Sequence, residues 1–144
     1  MGRLECELSW SVSRQGQFEG CKRQYYYARY GSWGGWEAGA DPGRRDLYVL
    51  KQMTGLYALA GDAVHVVIEQ WFNGQLGGSQ TGVEDLQKAA RERLNRAWKQ
   101  SMDPARPWER DPKSFARLVE HEYDEVTKTL TDRIRDRVNV CIEN

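Results

Sequence analysis

The sequence predicts an all-α fold, a bundle of about four principal helices around one long central helix. Three observations predict it. Apolar residues recur at steps of three and four, glycines and prolines gather between those stretches, and no β-branched run alternates as a strand would. With 144 residues the chain has the size of one ordinary domain and can bury a core, so residues 1–144 read as a single helical domain.

The first helix is led by Ser11 or Ser13, either of which could cap it, and Phe18, Cys21, Tyr25 and Ala28 are spaced to share one face. The segment "GSWGGWEAGADPGRR", Gly31 to Arg45, then reads as a Gly/Trp-rich connector. The central helix is expected over Leu47 to Trp71, where Leu47, Leu50, Met53, Tyr57, Ala60, Val64, Val67 and Trp71 make one continuous stripe. "FNGQLGGSQ" is a loop. The next helix starts at Thr81, where "TGVE" sets a hydroxyl three residues before a carboxylate in capping-box order. Val83, Leu86, Ala90, Leu94 and Ala97 line its inner face. After the loop "MDPARPWERD" a last helix opens at "DPKSF", with Asp111 as cap and Pro112 in the first turn, where a missing amide costs nothing. Its stripe runs Phe115, Val119, Tyr123, Val126, Leu130, Ile134.

Twenty-one basic residues balance 21 acidic ones, so no global field draws the chain to nucleic acid or to a membrane, and any such binding must be local. No run of about twenty apolar residues occurs, and the N-terminus lacks the basic-then-apolar layout of a signal peptide, so no membrane partner and a cytoplasmic location are expected. Cys6, Cys21 and Cys141 are odd in number and widely spread, which predicts free thiols rather than a disulfide framework or a zinc site.

Two constellations carry possible chemistry. In "CKRQYYYARYGSWGGW", Lys22, Arg23 and Arg29 lie beside a run of tyrosines, with Arg14 close by. Such a surface can hold a phosphate backbone and stack bases as single-strand-binding channels do, although tyrosines at helical spacing are more often wedged into a core with their hydroxyls at the surface. In "GDAVHVVIEQW", Asp62, His65 and Glu69 project from one side of a helix, and an imidazole and a carboxylate at that spacing can meet one divalent cation or simply form a surface pair.

Read together, "LSWSVSRQGQFEGCKRQYYYARY" and, about thirty residues on, "GDAVHVVIEQW" resemble the N-terminal part of RecB-like nucleases of the PD-(D/E)XK superfamily. Gly61, His65 and Glu69 fit that family's Gly-x-x-x-His helix with its following acidic residue, and "YGSWGGW" and "EHEY" at Glu120 to Tyr123 extend the likeness. The resemblance implies Mg or Mn dependent cleavage of DNA, with His65 and Glu69 as metal ligands and Arg14, Lys22, Arg23, Tyr26 and Arg29 as DNA contacts. It also implies a strand-borne Asp and an acidic-x-Lys motif, which this sequence lacks. "DPK" at Asp111 reads as a cap, and "DEVTK" at Asp124 has the wrong spacing. The chain is therefore expected to be the helical N-terminal portion of a larger nuclease domain, inactive alone, that self-associates or takes a partner supplying the sheet. Cys21 matches the first position of the family's iron-sulfur cysteines, but the other three are missing, so no cluster is expected and Cys21 reads as a small buried hydrophobe. The alternative is a non-catalytic helical module that binds DNA or a protein through Trp33 and Trp36.

Overall fold

Describing residues 9–78 and 81–144, the computed structural model is helical, with eight helices and no strand among the described residues. The chain divides into two compact units, one ending at Gln52 and one beginning at Met53. Cys6, one of the three cysteines, lies outside the described residues.

In the first unit Ser11 is the cap of α1 (Val12–Gly20), its hydroxyl accepting from the Arg14 amide at 3.3 Å. The expected single helix is broken once. Gly20 ends α1, and Cys21 takes an extended backbone, φ −160°, and caps α2 (Lys22–Tyr26) through a 3.5 Å contact from the Gln24 amide to its Sγ. Cys21 is thus exposed rather than buried, because a residue at a helix break turns out of the stripe. The apolar face survives the break through rings: Phe18 meets Trp10 at 5.9 Å and buried Tyr25 at 5.5 Å, edge to face. α2 runs into a π-helical turn, Tyr27–Gly31.

The glycines after it are needed for close approach. Gly34 adopts φ +77°, and a Cβ on Gly35 would lie 2.5 Å from the Tyr48 Cβ and 2.6 Å from the Arg44 carbonyl. Trp33, Trp36 and buried Tyr48 stack edge to face at 5.1 and 5.9 Å, and Arg45 donates to the Gly35 carbonyl. The connector is shorter than its composition suggests. Asp41 caps α3 (Pro42–Lys51), with Pro42 in its first turn, so Arg44 and Arg45 are helical.

In the second unit the expected central helix corrects itself: α3 ends before Gln52 and α4 (Leu56–Leu76) starts after Gly55, with a break between them. Thr54 instead forms an isolated parallel bridge to Leu118, its amide donating to the Arg117 carbonyl and its carbonyl accepting from Val119, both at 3.0 Å. Helical spacing of Leu47 to Trp71 does not register the interruption, since an apolar stripe carries no information about backbone continuity. α4 also runs on through Phe72 to Leu76, into the expected loop; only Gly77 and Gly78 turn, and residues 79 and 80 lie outside the described set.

α5 (Val83–Ser101) starts two residues later than expected, with Gly82 as cap and no side-chain cap bond, so the Thr81 capping box does not form. Asp111 does accept from the Ser114 amide, but it closes a turn and no helix, because residues 115–118 run out to pair with Thr54. Pro107, not Pro112, opens a helix, the single turn α6 (Pro107–Arg110), and α7 (Val119–Glu122) is equally short. The last long helix, α8 (Lys128–Glu143), is capped by Thr127. α4, α5 and α8 pack on one another around Leu59, Ala63, Val67, Ala90, Ala97, Ile134 and Val138, with Leu118 sealed beneath them. Small residues on α4 and α5 let the axes approach closely.

Replacing Gly35 with Ala should destabilise the first unit by about 1–3 kcal/mol, the usual cost of forcing atoms into a filled space. Urea unfolding followed by tryptophan fluorescence measures it, since Trp33 and Trp36 report on this turn; an unchanged midpoint would show that the turn yields.

Candidate nucleic-acid interface

The π-turn and α3 of the first unit enclose an open groove of about 760 Å³. One extra residue per turn widens the helix at Tyr27 to Gly31, and such insertions recur at functional sites. At Gly31, which ends the turn, a Cβ would stand 3.2 Å from both Leu47 and Tyr27. Among the described residues, Arg23, Arg29 and Lys51 line the groove and no acidic residue does. Arg29 donates to the Gln17 side-chain oxygen at 3.1 Å, which holds both side chains at the edge. Ser32, fully buried, donates its hydroxyl to the Ala28 carbonyl and fastens the end of the turn. The sequence of the first unit, Met1 to Gln52, carries eight basic and six acidic residues, so the excess of positive charge there is small and the lining of the groove concentrates it.

The sequence-derived contacts fall differently. Arg23 and Arg29 line the groove. Lys22 and Arg14 do not: Lys22 sits over the Phe18 ring at 5.5 Å, and Arg14 folds back onto the Ser9 carbonyl and hydroxyl. Tyr26 is exposed and supports Tyr27 edge to face at 5.6 Å, and it is Tyr27 that faces the groove. Sequence reasoning passed over Gln17, Gln24, Tyr27, Leu50 and Lys51. Leu50 was visible only as a member of the Leu47 to Trp71 stripe, and Lys51 only as the basic residue beside it.

In the second unit, His65 and Glu69 are exposed on α4. Asp62, the third residue of that face, is drawn to Arg93 of α5 at 2.6 Å. No group of three or more His, Cys, Asp or Glu side chains comes together as a metal set among the described residues. His65 and Glu69 are two donors, fewer than the near-octahedral shell of magnesium takes, so further oxygens would have to complete it.

A second polar assembly gathers around "EHEY", Glu120 to Tyr123. Ser101, at the end of α5 and 2% exposed, accepts from the Leu118 amide at 2.9 Å and meets His121 Nδ1 at 2.7 Å. His121 Nε2 is buried and has no hydrogen-bond partner among the described residues. Arg117 donates to the Ser101 carbonyl and pairs with Glu122, while Glu120 accepts from the Leu56 amide at 2.8 Å. The His121 ring rests edge-on against Trp98, 4.4 Å between centroids. Ser101 is too buried to meet a substrate, so the assembly ties helices together.

Burial first, and then the Arg117 guanidinium, hold His121 below its ordinary pKa of 6.5, against the opposing pull of Glu120. An unfolded histidine takes up its proton near 6.5 and the folded one only at lower pH, so the unfolded state binds more protons in between. The stabilisation is complete above pH 6.5 and is lost as pH falls through the folded value. Thermal melts from pH 8 to pH 5 should show this decline, and His121→Gln should reduce it; an equal decline in both would place the acid sensitivity elsewhere.

No helix among the described residues is long and apolar enough to cross a membrane. The model of the PD-(D/E)XK nuclease superfamily matches residues 9–140, which includes both the groove and the α4 face. No curated protein and no solved structure matches the chain.

Proposed function

The chain belongs to the PD-(D/E)XK nuclease superfamily, and from that premise we propose that it is the helical, DNA-holding portion of a RecB-like nuclease. The observation that carries the reading is the groove of the first unit, which among the described residues is lined by three cations and no carboxylate on a chain of zero net charge. Phosphate oxygens are the complementary ligand for such a surface. Arg23 and Arg29 hold the backbone, while Lys22 and Arg14, close in sequence, add to the local field. Tyr26 supports this surface through Tyr27.

His65 and Glu69 would offer two ligands to the Mg or Mn ion that the superfamily uses. With Asp62 held by Arg93, the remaining carboxylates and the assisting lysine have to come from strands supplied by further chain or by a partner. Without them neither activation of water nor stabilisation of charge at phosphorus is provided.

Three phosphate contacts imply that affinity for DNA falls roughly 20- to 40-fold as salt rises from about 50 to about 200 mM. Exchanging Lys22 and Arg23 together for Glu should abolish binding. Fluorescence anisotropy with labelled DNA measures both effects, and an affinity indifferent to the double substitution would reduce the basic cluster to a solvated face.

The chain alone should leave single- and double-stranded DNA uncut in the presence of manganese. Gel analysis beside His65→Ala provides the check. Cleavage by the wild type that disappears in the variant would mean that a complete site assembles, for example between copies of the chain.

A further inference from the structure

We infer that the cleft between α5 and α8 of the second unit docks the C-terminus of another protein, with an apolar last residue on its floor and the terminal carboxylate on Arg91. The site lies apart from the basic groove and goes beyond the DNA-holding reading. The start of α5 meets the end of α8, where the Gln87 amide donates to Glu143 at 2.8 Å, and further along the two helices leave a cleft of about 360 Å³ between them. Leu56, Leu94, Trp98, Ile134 and Val138 form its floor. Leu56, Ile134 and Val138 are core residues and fixed, whereas Leu94 and Trp98 are half-buried and leave apolar surface open to the cleft.

Polar groups with unused bonds stand along one wall of this floor. Arg91, Asn95 and Trp98 follow at steps of four and three, so they form one line along α5. The Arg91 Nε donates to the Gln87 carbonyl at 3.3 Å, which anchors the guanidinium, while its two terminal amino groups have no partner among the described residues. The Asn95 amide has none among them either. On the α8 wall the polar groups are already matched: Asp132 pairs with Arg135 at 3.1 Å, and Thr131 gives its hydroxyl proton to the Lys128 carbonyl. The uncompensated charge that the described residues bring to the cleft is therefore the Arg91 guanidinium.

That combination selects the ligand. A guanidinium fork is complementary to a carboxylate, the Asn95 amide offers one donor and one acceptor face to a peptide group, and the floor takes an alkyl or aromatic side chain. The last residue of a polypeptide carries all three within a few bonds. A fatty acid has the carboxylate and the apolar body but nothing for Asn95. The volume is at the low end for ligand sites, which suits one or two residues and excludes a whole helix.

The test uses the full chain in fluorescence anisotropy with a labelled short Gly/Ser peptide that ends in Leu as the free acid. The same peptide as its carboxamide, and the free acid ending in Ser, are the controls. The Leu acid should bind at least about fivefold more tightly than either control. Arg91→Gln, at an exposed position, should abolish the difference between acid and carboxamide and leave the carboxamide affinity unchanged. Asn95→Ala, also exposed, should weaken both peptides alike, and sodium octanoate at equal concentration should displace neither. Equal affinity for acid and carboxamide, an equal loss on both in Arg91→Gln, or no binding of any of these peptides overturns the inference. Displacement by octanoate also overturns it and assigns the cleft to free apolar acids.

Discussion

The second unit depends on one long-range bond, the carboxylate of Glu120 accepting the Leu56 amide at 2.8 Å across 64 residues of chain. The first amides of a helix have no partner within it, and α4 begins at a glycine that has no side chain to offer. Glu120 supplies the acceptor and places negative charge where the helix dipole favours it. The same few residues carry the rest of the junction. Thr54 and Leu118 pair as a bridge, Leu118 donates to Ser101, and Ser101 meets His121. The start of α4, the end of α5 and the segment before α8 are thereby fixed at one point. The core of Ala63, Ala90 and Val138 can then close with small residues at its centre, because the helix axes are already in register.

In the first unit the corresponding constraint is steric. Gly35 has no room for a Cβ, so the backbone of the turn lies directly on Tyr48 and α3 is held against it. The π-turn ends in buried Ser32 just before this contact. Gly31, the last residue of that turn, sits where a Cβ would stand 3.2 Å from both Leu47 and Tyr27, two of the residues that line the groove. The chemistry of the groove comes from side chains placed by three helical segments, Arg23 on α2, Arg29 on the π-turn and Lys51 on α3.

Much of the helical content was legible in the sequence because apolar spacing reports directly on which face is buried. Ala90, Ala97 and Ile134 are buried as their stripes predict, and Ser11 caps α1 as its position suggested. Interruptions were not legible. The stripe from Leu47 to Trp71 runs through Thr54 and Gly55 without a missed step, and nothing local announces that Thr54 will pair with Leu118. The cap at Asp41-Pro42 and the one expected at Asp111-Pro112 are the same dipeptide. One opens α3 and the other closes a turn, since the residues after Pro112 are recruited by a distant partner. Likewise the basic cluster was visible as composition, but its division into Arg23 and Arg29 in the groove and Arg14 and Lys22 elsewhere follows from the break at Cys21 and the extra residue of the π-turn, neither of which has a spacing signature.

The polar face of α4 shows why spacing alone overstates a metal site. Asp62, His65 and Glu69 share a side of the helix as their separations require, yet sharing a side leaves each free to choose its own partner. Arg93 on α5 lies within 2.6 Å of Asp62, and a guanidinium binds a carboxylate through two donors at once, as Nε and Nη2 do here. Both groups are about half exposed, so the pair adds little stability, but it occupies the one oxygen that faces the helix neighbour. A cation drawn to this face would have to displace Arg93 or do without Asp62. Without Asp62, His65 and Glu69 supply one nitrogen and one carboxylate, a set that a harder ion such as magnesium binds poorly and that phosphate oxygens and further carboxylates would have to complete. The α4 face is therefore a place where ligands from elsewhere decide whether a metal is held, whereas the groove of the first unit draws its cations and its apolar lining from its own helical segments.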